Sequence, residues 1–453
     1  MSIYKAYDIR GIYPTELHEK TAYGVGRAFA VLLQTENPGE DLEIVVGRDA
    51  RESGDTLTTE VIKGLREGGL DIAYVGLVST PTFYFAVAKY GYAGGLMVSA
   101  SHNPAEYNGF KLVRARAVPV GGETGIKDIE AMVLAGVYPQ SDRRGTLSEK
   151  KGVLEDQVEH DLRFADVKKI KPLKIVADAA NGMGALYLDE LFKHLPCELV
   201  KMYFDLDGRF PNHEADPLKE ENKEALKKRV VAEKADLGIA TDGDGDRIFF
   251  VDDKGESIDP AILRGIMARI FLREKPGATI AYDIRPGKIT KDMIEENGGK
   301  PLVTRVGHSL IKQAVIEQDA YFAGESSGHF FLSLDHGVYE VPMIVTLKLL
   351  QELSVSSMSA SEYIRPLKRY AHSGEINTRV RNVAETIEAV AKEYSDGAQS
   401  RLDGITVEYA DFWFNVRGSN TEPLIRLNLE AKSKEVMEQK RDEVLSVIYS
   451  FEQ

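Results

Sequence analysis

The chain holds a single cysteine, Cys197, among 453 residues. One thiol makes no intramolecular disulfide and no cysteine-rich metal site, which fits a reducing cytoplasm. Long apolar runs are missing too: no stretch approaches the ~18–20 residues that a membrane-crossing helix requires. The opening MSIYKAYDIRG has no basic segment followed by an apolar one, so no secretory signal is expected. Cations are outnumbered, 57 Lys and Arg against 71 Asp and Glu, for a formal net charge of −14. That balance argues against nonspecific nucleic-acid binding, and a phosphorylated ligand would have to find its cationic contacts locally. Two common motifs are also absent: the chain has no G-x-x-x-x-G-K-[ST] loop and no G-x-G-x-x-G opening a helix, and Ser101 has no G-x-S-x-G context to make it a hydrolase elbow.

What remains is an ordinary globular composition, 43% hydrophobic and 28% charged. Its length suggests three or four domains of ~100–150 residues each. A strand–helix rhythm recurs three times. LEIVVGRD (42–49), DIAYVGLV and GGLMVSAS read as strands in the first third, with helices over 54–68 and Thr82–Tyr90. The stretch 54–68 repeats apolar residues at helical spacing, at Leu57, Val61, Ile62 and Leu65. The second third reads as strands in LKIVADAA, CELVKMYF and the two halves of DLGIATDGDGDRIFFVDD, with helices over 183–194 and 218–233. In the last block, helices over 260–274, Ile289–Asn297 and Ser309–Glu317 separate strands in ATIAYDI, KPLVTRVG and YFAGESSGHFFL. Alternation of this kind implies βαβ units and mostly parallel sheets. The tail differs, with a helix, a run of antiparallel strands and a closing helix from Lys434 to Tyr449. The expectation is three related α/β domains, 1–150, 151–254 and 255–366, and a smaller α+β domain, 367–453.

Four loops carry unusual chemistry. TDGDGDR sets Asp242, Asp244 and Asp246 at alternate positions, with glycines that let the chain curl until the carboxylates converge. Such a loop is a solvated acidic turn or a hard-oxygen cage for Mg²⁺. A calcium EF-hand needs Gly at loop position six and Glu at twelve, where this loop has Arg247 and Asp253. Arg247 can hold the carboxylates together or reach an anionic ligand. GESSGH (324–329) lies between two strands, and Glu325, Ser327 and His329 offer groups suited to sugar hydroxyls, although the segment also reads as a plain turn. RGSNTEP (417–423), followed by Arg426, gathers guanidinium, hydroxyl and amide groups suited to a dianionic phosphate. SASHNP (99–104) ends a strand in Ser101 and His102, with Lys111 following. With a metal loop elsewhere in the chain, that inventory suits phosphoryl transfer to and from a serine.

The segments KAYDIRG (5–11), GRDAR (47–51), SASHNP, DGDGDR, TRVGHSLIK (304–312), GESSGH and RGSNTEPLIR (417–426) occur in one order over nearly the whole chain. In this the sequence resembles the α-D-phosphohexomutase family, in its phosphomannomutase/phosphoglucomutase branch. The resemblance implies mixed-sheet α/β domains around a central cleft, with one motif per domain facing it. Ser101 would be the phosphoserine. Asp242, Asp244 and Asp246, with a phosphoserine oxygen, would hold one Mg²⁺ per chain. Glu325 and Ser327 would read the sugar, and Arg417, Ser419, Asn420 and Thr421, with Arg426, would grip the nonreacting phosphate. Tyr7, Arg10, His102, Lys111, Arg247, His308 and His329 match positions that orient substrate or assist proton transfer. Arg285, in YDIRPGK, stands where some relatives carry Lys. The implied reaction interconverts hexose 1- and 6-phosphates through a hexose 1,6-bisphosphate, which also activates the protein by phosphorylating Ser101. The expected partner is a small phosphosugar, with no nucleic acid and no membrane, and nothing in the sequence sets an oligomeric state. Phosphoglucosamine mutase and a metal-dependent sugar phosphatase are the competing readings.

Overall fold

The spacing of Leu57, Val61, Ile62 and Leu65 produces the expected amphipathic helix, Gly54–Glu67, and all four side chains are buried. Burying each contributes about 1.5–3 kcal/mol, far more than helix propensity alone supplies. The computed structural model describes residues 2–5, 7–285, 287–418 and 424–452. Its first sheet contains β1 (Ile9–Ile12), β2 (Glu43–Arg48), β3 (Asp71–Leu77), β4 (Gly94–Val98), β5 (Tyr107–Arg114) and β6 (Leu147–Glu149), in the order β1-β5-β4-β2-β3-β6. The ladders β4–β2, β2–β3 and β3–β6 are parallel, whereas β5 runs antiparallel to both β1 and β4. The sheet is therefore mixed, and its antiparallel edge returns the chain past the end of β4.

The second sheet repeats this plan with β7 (Lys174–Asp178), β8 (Glu198–Met202), β9 (Leu237–Thr241) and β10 (Ile248–Asp252), in the order β10-β9-β7-β8. Only the β9–β10 hairpin is antiparallel. Next come three parallel strands, β11 (Thr279–Asp283), β12 (Lys300–Thr304) and β13 (Phe322–Gly324), then an antiparallel pair, β14 (Phe330–Leu334) and β15 (Gly337–Glu340). The tail is antiparallel, made of β16 (Ala371–His372), β17 (Ile376–Arg379), β18 (Ala398–Ser400), β19 (Ile405–Glu408), β20 (Phe412–Gly418) and β21 (Leu424–Ala431). Helices Val383–Glu393 and Lys434–Tyr449 supply buried residues to its core.

Two helices start two or more residues from where the sequence suggests. The one expected from Thr82 begins at Thr80, because the Ser79 hydroxyl accepts from the Thr82 amide and Pro81 occupies the first turn. The one expected from 218 begins at Glu224. Before it, Asn222 Nδ2 bonds the Asp216 carbonyl, and the chain forms a short 3₁₀ turn, Glu220–Lys223.

The chain divides into two compact units, Met1–Ile258 with Ser327–Tyr363, and Asp259–Ser326 with Ile364–Gln453. No helix among the described residues is long and apolar enough to cross a membrane.

Candidate active site

In the first unit, β4 is buried throughout and ends at Val98, and Ser101 follows in the loop that leaves its C-terminal end. Ser101 is 2% exposed and sits in the left-handed backbone region, φ 51°. Its amide donates to Ser99 Oγ at 2.9 Å, and its Oγ donates to Asp242 Oδ2 at 3.0 Å. His102 Nδ1 stands 3.1 Å from the same Oγ. Burial, with Arg247 and Arg10 nearby, holds the His102 imidazole well below its ordinary pKa. Arg10, on β1, is held by Asp8 at 2.8 Å and donates to Asn103 Oδ1 at 2.6 Å and the Ala100 carbonyl at 3.2 Å. Tyr7 lies partly buried just before β1.

The metal-loop residues come from the tight β9–β10 connection. Gly243 is required there, since a Cβ would stand 2.5 Å from the Ser101 carbonyl. Asp242, Asp244 and Asp246 are all buried, and each offers an oxygen within 4.8 Å of the others. Lys111 faces Met97 across the β4–β5 ladder and reaches Asp244 Oδ2 and Asp246 Oδ2, at 2.6 Å each. Burial would lower the Lys111 pKa, but these two carboxylates outweigh it and hold the ammonium well above its usual value. Asp242 is pushed well up by burial and by Asp246 and Asp244. Burial acts the same way on Asp246, but Lys111 and His329 prevail and hold it well down. His329 Nε2 lies 3.2 Å from Asp246 Oδ1, and His329 Nδ1 lies 3.1 Å from Ser327 Oγ. The Arg247 amide donates to Asp242 Oδ1 at 3.1 Å, and its guanidinium lies 3.8 Å from Asp242 and 3.6 Å from Asp216.

Asp244 Oδ1 is buried with no hydrogen-bond partner among the described residues. A partnerless carboxylate oxygen within an all-oxygen donor set suits a hard divalent cation. The three aspartates can therefore hold a metal ion.

The second unit carries the other candidates. Arg285 follows β11 and donates to Glu325 Oε1 at 3.2 Å, and its guanidinium also pairs with Asp283. Glu325 accepts from the Gly307 amide at 3.1 Å. His308 opens helix His308–Glu317 and lies 3.2 Å from Ser309 Oγ. Glu430 accepts from the Gly287 and Lys288 amides at 3.0 Å each and from Trp413 Nε1 at 2.7 Å, tying the Arg285 loop to the C-terminal sheet. Arg417 and Arg426 face each other across β20 and β21. Glu375 Oε2 accepts from Arg417 at 2.6 Å, and Glu375 Oε1 lies 3.5 Å from Arg426. Ser419, Asn420 and Thr421 lie outside the described residues.

Sequence reasoning passed over several supporting groups. Thr80 donates to Asp244 Oδ2 at 2.6 Å, although in VSTPT it signals only a helix start. Asp283, with Arg264, anchors Ser326, whose hydroxyl donates to Asp283 Oδ1 at 2.8 Å. Asp8 lies two residues from Arg10 within KAYDIRG, whereas Glu375 lies 42 positions from Arg417, so the second pairing has no local signal.

Buried carboxylates able to hold a metal ion beside a strand-end hydroxyl are the equipment of metal-assisted phosphoryl transfer. Comparison with known proteins identifies the lineage. Models of the phosphoglucomutase/phosphomannomutase alpha/beta/alpha domains I, II and III match residues 1–137, 155–255 and 259–370, and that of the C-terminal domain matches 375–447. The chain belongs to the phosphoglucomutase/phosphomannomutase family, with its four-domain α/β architecture. It is 37% identical to a phosphomannomutase of Escherichia coli over 463 residues, covering 99% of each chain. A phosphomannomutase of Methanocaldococcus jannaschii is also 37% identical, over 99% of this chain and 98% of its own. A solved phosphoglucomutase/phosphomannomutase family protein from Burkholderia thailandensis aligns with a TM-score of 0.89 at 33% identity, covering 99% of this chain and 97% of that one.

Proposed function

We propose that this chain is a phosphomannomutase/phosphoglucomutase, interconverting the 1- and 6-phosphates of mannose and glucose. The observation that carries the reading is the buried Ser101 Oγ, 3.0 Å from Asp242 within the three-carboxylate group. Phosphorylated Ser101 gives its phosphoryl group to the free hydroxyl of a hexose monophosphate. The P–Oγ bond breaks, a bond from phosphorus to the sugar oxygen forms, the sugar hydroxyl loses its proton and Oγ gains one. The 1,6-bisphosphate turns over in the site, and its other phosphate returns to Ser101 with the proton transfers reversed. His102, 3.1 Å from Oγ, takes the serine proton when Oγ attacks and returns it when Oγ leaves. Asp242, Asp244 and Asp246, with an oxygen of the phosphorylated serine, would hold Mg²⁺, which when bound neutralises charge on the transferring group. Arg10, Lys111, Arg247 and His329 add cationic and hydrogen-bonding groups around that position.

Glu325 and Ser327 read sugar hydroxyls; Tyr7, Arg285 and His308 orient the substrate. Arg417 and Arg426, with Ser419, Asn420 and Thr421, take the nonreacting phosphate. The four domains are 1–150, 151–254, 255–366 and 367–453, a division that the change from mixed to antiparallel sheets supports at its last boundary. A charged phosphosugar substrate makes the cytoplasm the compartment, and hexose 1,6-bisphosphate the species that primes Ser101.

The test is mass spectrometry for phosphate on Ser101, combined with turnover of glucose 1-phosphate, mannose 1-phosphate and glucosamine 1-phosphate with and without chelator. We expect phosphate on Ser101, loss of activity in EDTA and recovery with Mg²⁺. If the C2 hydroxyl is left unread, mannose and glucose substrates should differ by less than about two decades in kcat/KM. Stoichiometric release of inorganic phosphate would mean a phosphatase. Glucosamine 1-phosphate as best substrate by about tenfold or more would mean a phosphoglucosamine mutase.

A further inference from the structure

The GRDAR segment (47–51) is the one family-like motif that the mechanism above leaves without a role. Its last residue, Arg51, has a side chain that is 0% exposed. The guanidinium makes an unusual set of bonds, all to one loop. Nη1 donates to the carbonyls of Pro104 at 2.7 Å and Tyr107 at 2.8 Å. Nη2 donates to the carbonyls of Ser101 at 2.8 Å and Asn103 at 2.6 Å. Nε stands 3.3 Å from Asp49 Oδ2, and Asp49 Oδ1 accepts from the Arg51 amide at 3.0 Å, so the carboxylate sets the fork's direction. The Phe210 ring covers it, with its centroid 5.1 Å from the guanidinium carbon. The same loop's Gly208 backbone packs so closely that a Cβ there would lie 2.4 Å from Arg51 Cα.

Four carbonyls spread over 101–107 can point at one place only if the loop wraps around it. Ser101 pays for that wrapping with a left-handed φ of 51°, which a non-glycine residue adopts only where its surroundings enforce it. We propose that Arg51 is a positioning residue: its guanidinium is the template for the 101–107 loop and holds Ser101 where Oγ meets Asp242. This rests on the reading of Ser101 as phosphoryl carrier. Arginine is required for geometric reasons. A guanidinium presents its donors in a fixed planar fork, whose four Nη hydrogens serve the four carbonyls while its charge pairs with Asp49. An ammonium has three donors on a flexible stem. Lysine at 51 would keep the charge and leave some of the buried carbonyls unpaired.

The test uses the full chain with two variants, Arg51→Lys and Arg51→Ala. For Arg51→Lys we expect a folded chain with a thermal midpoint lowered by the unpaired carbonyls, kcat lower by about 30-fold or more, and KM within about twofold. Hydrogen exchange should accelerate in residues 99–107 and remain unchanged elsewhere. Arg51→Ala should lose more activity, and millimolar guanidinium chloride should restore part of it where equal sodium or methylammonium chloride does not. If Arg51→Ala does not fold, Arg51→Lys decides alone. A kcat within about threefold of the unaltered value together with unaltered exchange in 99–107 would overturn the proposal, as would guanidinium acting no better than sodium on folded Arg51→Ala. Failure of the underlying reading looks different: the unaltered chain would then show no phosphate on Ser101 and no turnover. The exchange measurement decides the role of Arg51 even then.

Discussion

In the first unit a lysine lies among carboxylates; in the second a carboxylate lies among guanidiniums. Lys111 reaches Asp244 and Asp246 at 2.6 Å each, with Arg247 3.8 Å from Asp242 and His329 3.2 Å from Asp246 around the same three buried acids. Glu375 reaches Arg417 at 2.6 Å and lies 3.5 Å from Arg426, one negative charge against two cations. Both units carry an internal counter-charge, but its sufficiency differs. Burial, with Asp246 and Asp244 close by, drives Asp242 well above the usual carboxylate range. The cluster can take a further cation. The basic pair is better matched and more open, Arg426 having a side chain 32% exposed. Under the proposed function, an incoming phosphate there would compete with Glu375 for hydrogen bonds, which favours grip without irreversible capture.

The sharpest way to break this comparison is at the acidic end. With the hydroxyl as the proposed phosphoryl carrier, Ser101→Ala should lower kcat by several orders of magnitude and shift the thermal midpoint only modestly, since it removes a single hydrogen bond to Asp242. Residual turnover above a few per cent would place the phosphate on another residue.

Lys111→Met comes next and should act on stability as well as activity. It strands buried carboxylates without their cation, a change that costs about 3–5 kcal/mol in comparable buried pairs. Added Mg²⁺ should then raise the melting temperature of the variant more than that of the unaltered chain, since metal binding to the folded state substitutes for the missing charge. Equal Mg²⁺ responses in the two proteins would separate Lys111 from the metal site.

At the basic end the effects should be graded. Arg417→Ala removes a charge-assisted hydrogen bond worth about 1.5–3 kcal/mol, so KM should rise roughly 10- to 100-fold for every hexose phosphate alike. Glu375→Gln should do the opposite on a smaller scale. With the competing charge gone, inorganic phosphate should bind about three- to tenfold more tightly by calorimetry. Unchanged or weaker binding would make Glu375 a support for Arg417, not a competitor.

The smallest effect lies outside both charged sites. Burial, then His160 and Lys89, pulls His336 from 6.5 to about 4, and its Nε2 stands 2.7 Å from the Tyr339 hydroxyl. The unfolded chain takes up this proton near pH 6.5 and the folded chain only near 4. The stability that His336 contributes is thus present above about 6.5 and lost as pH falls toward 4. The melting temperature of His336→Gln should accordingly decline less across that window than that of the unaltered chain. Parallel curves would assign acid sensitivity to the carboxylate-rich sites instead.

Much of this could be read from the chain itself. Alternating glycines and aspartates in DGDGDR dictate a tight turn with converging carboxylates, because that follows from local backbone freedom and spacing. The apolar period over 54–67 dictates a helix with one buried face, and the apolar run ending at Val98 dictates a strand whose end opens into the Ser101 loop. Such features are determined within a dozen residues, so sequence determines them. Helix Glu19–Glu36 is different. Glycines at 24 and 26 weaken its local propensity, and its place is decided by packing so close that a Cβ at Gly26 would lie 2.5 Å from the Val61 carbonyl. The charge pairings are further still from local control. Lys111 meets Asp244 across 133 positions, Glu375 meets Arg417 across 42, and Arg51 meets the Ser101 carbonyl across 50. Residue type announces only that a charge exists. Which opposite charge it meets, and whether that pairing neutralises a site or leaves it short, depends on distances set by the packing of sheets and helices, since Coulomb and hydrogen-bond energies are settled over ångströms in space.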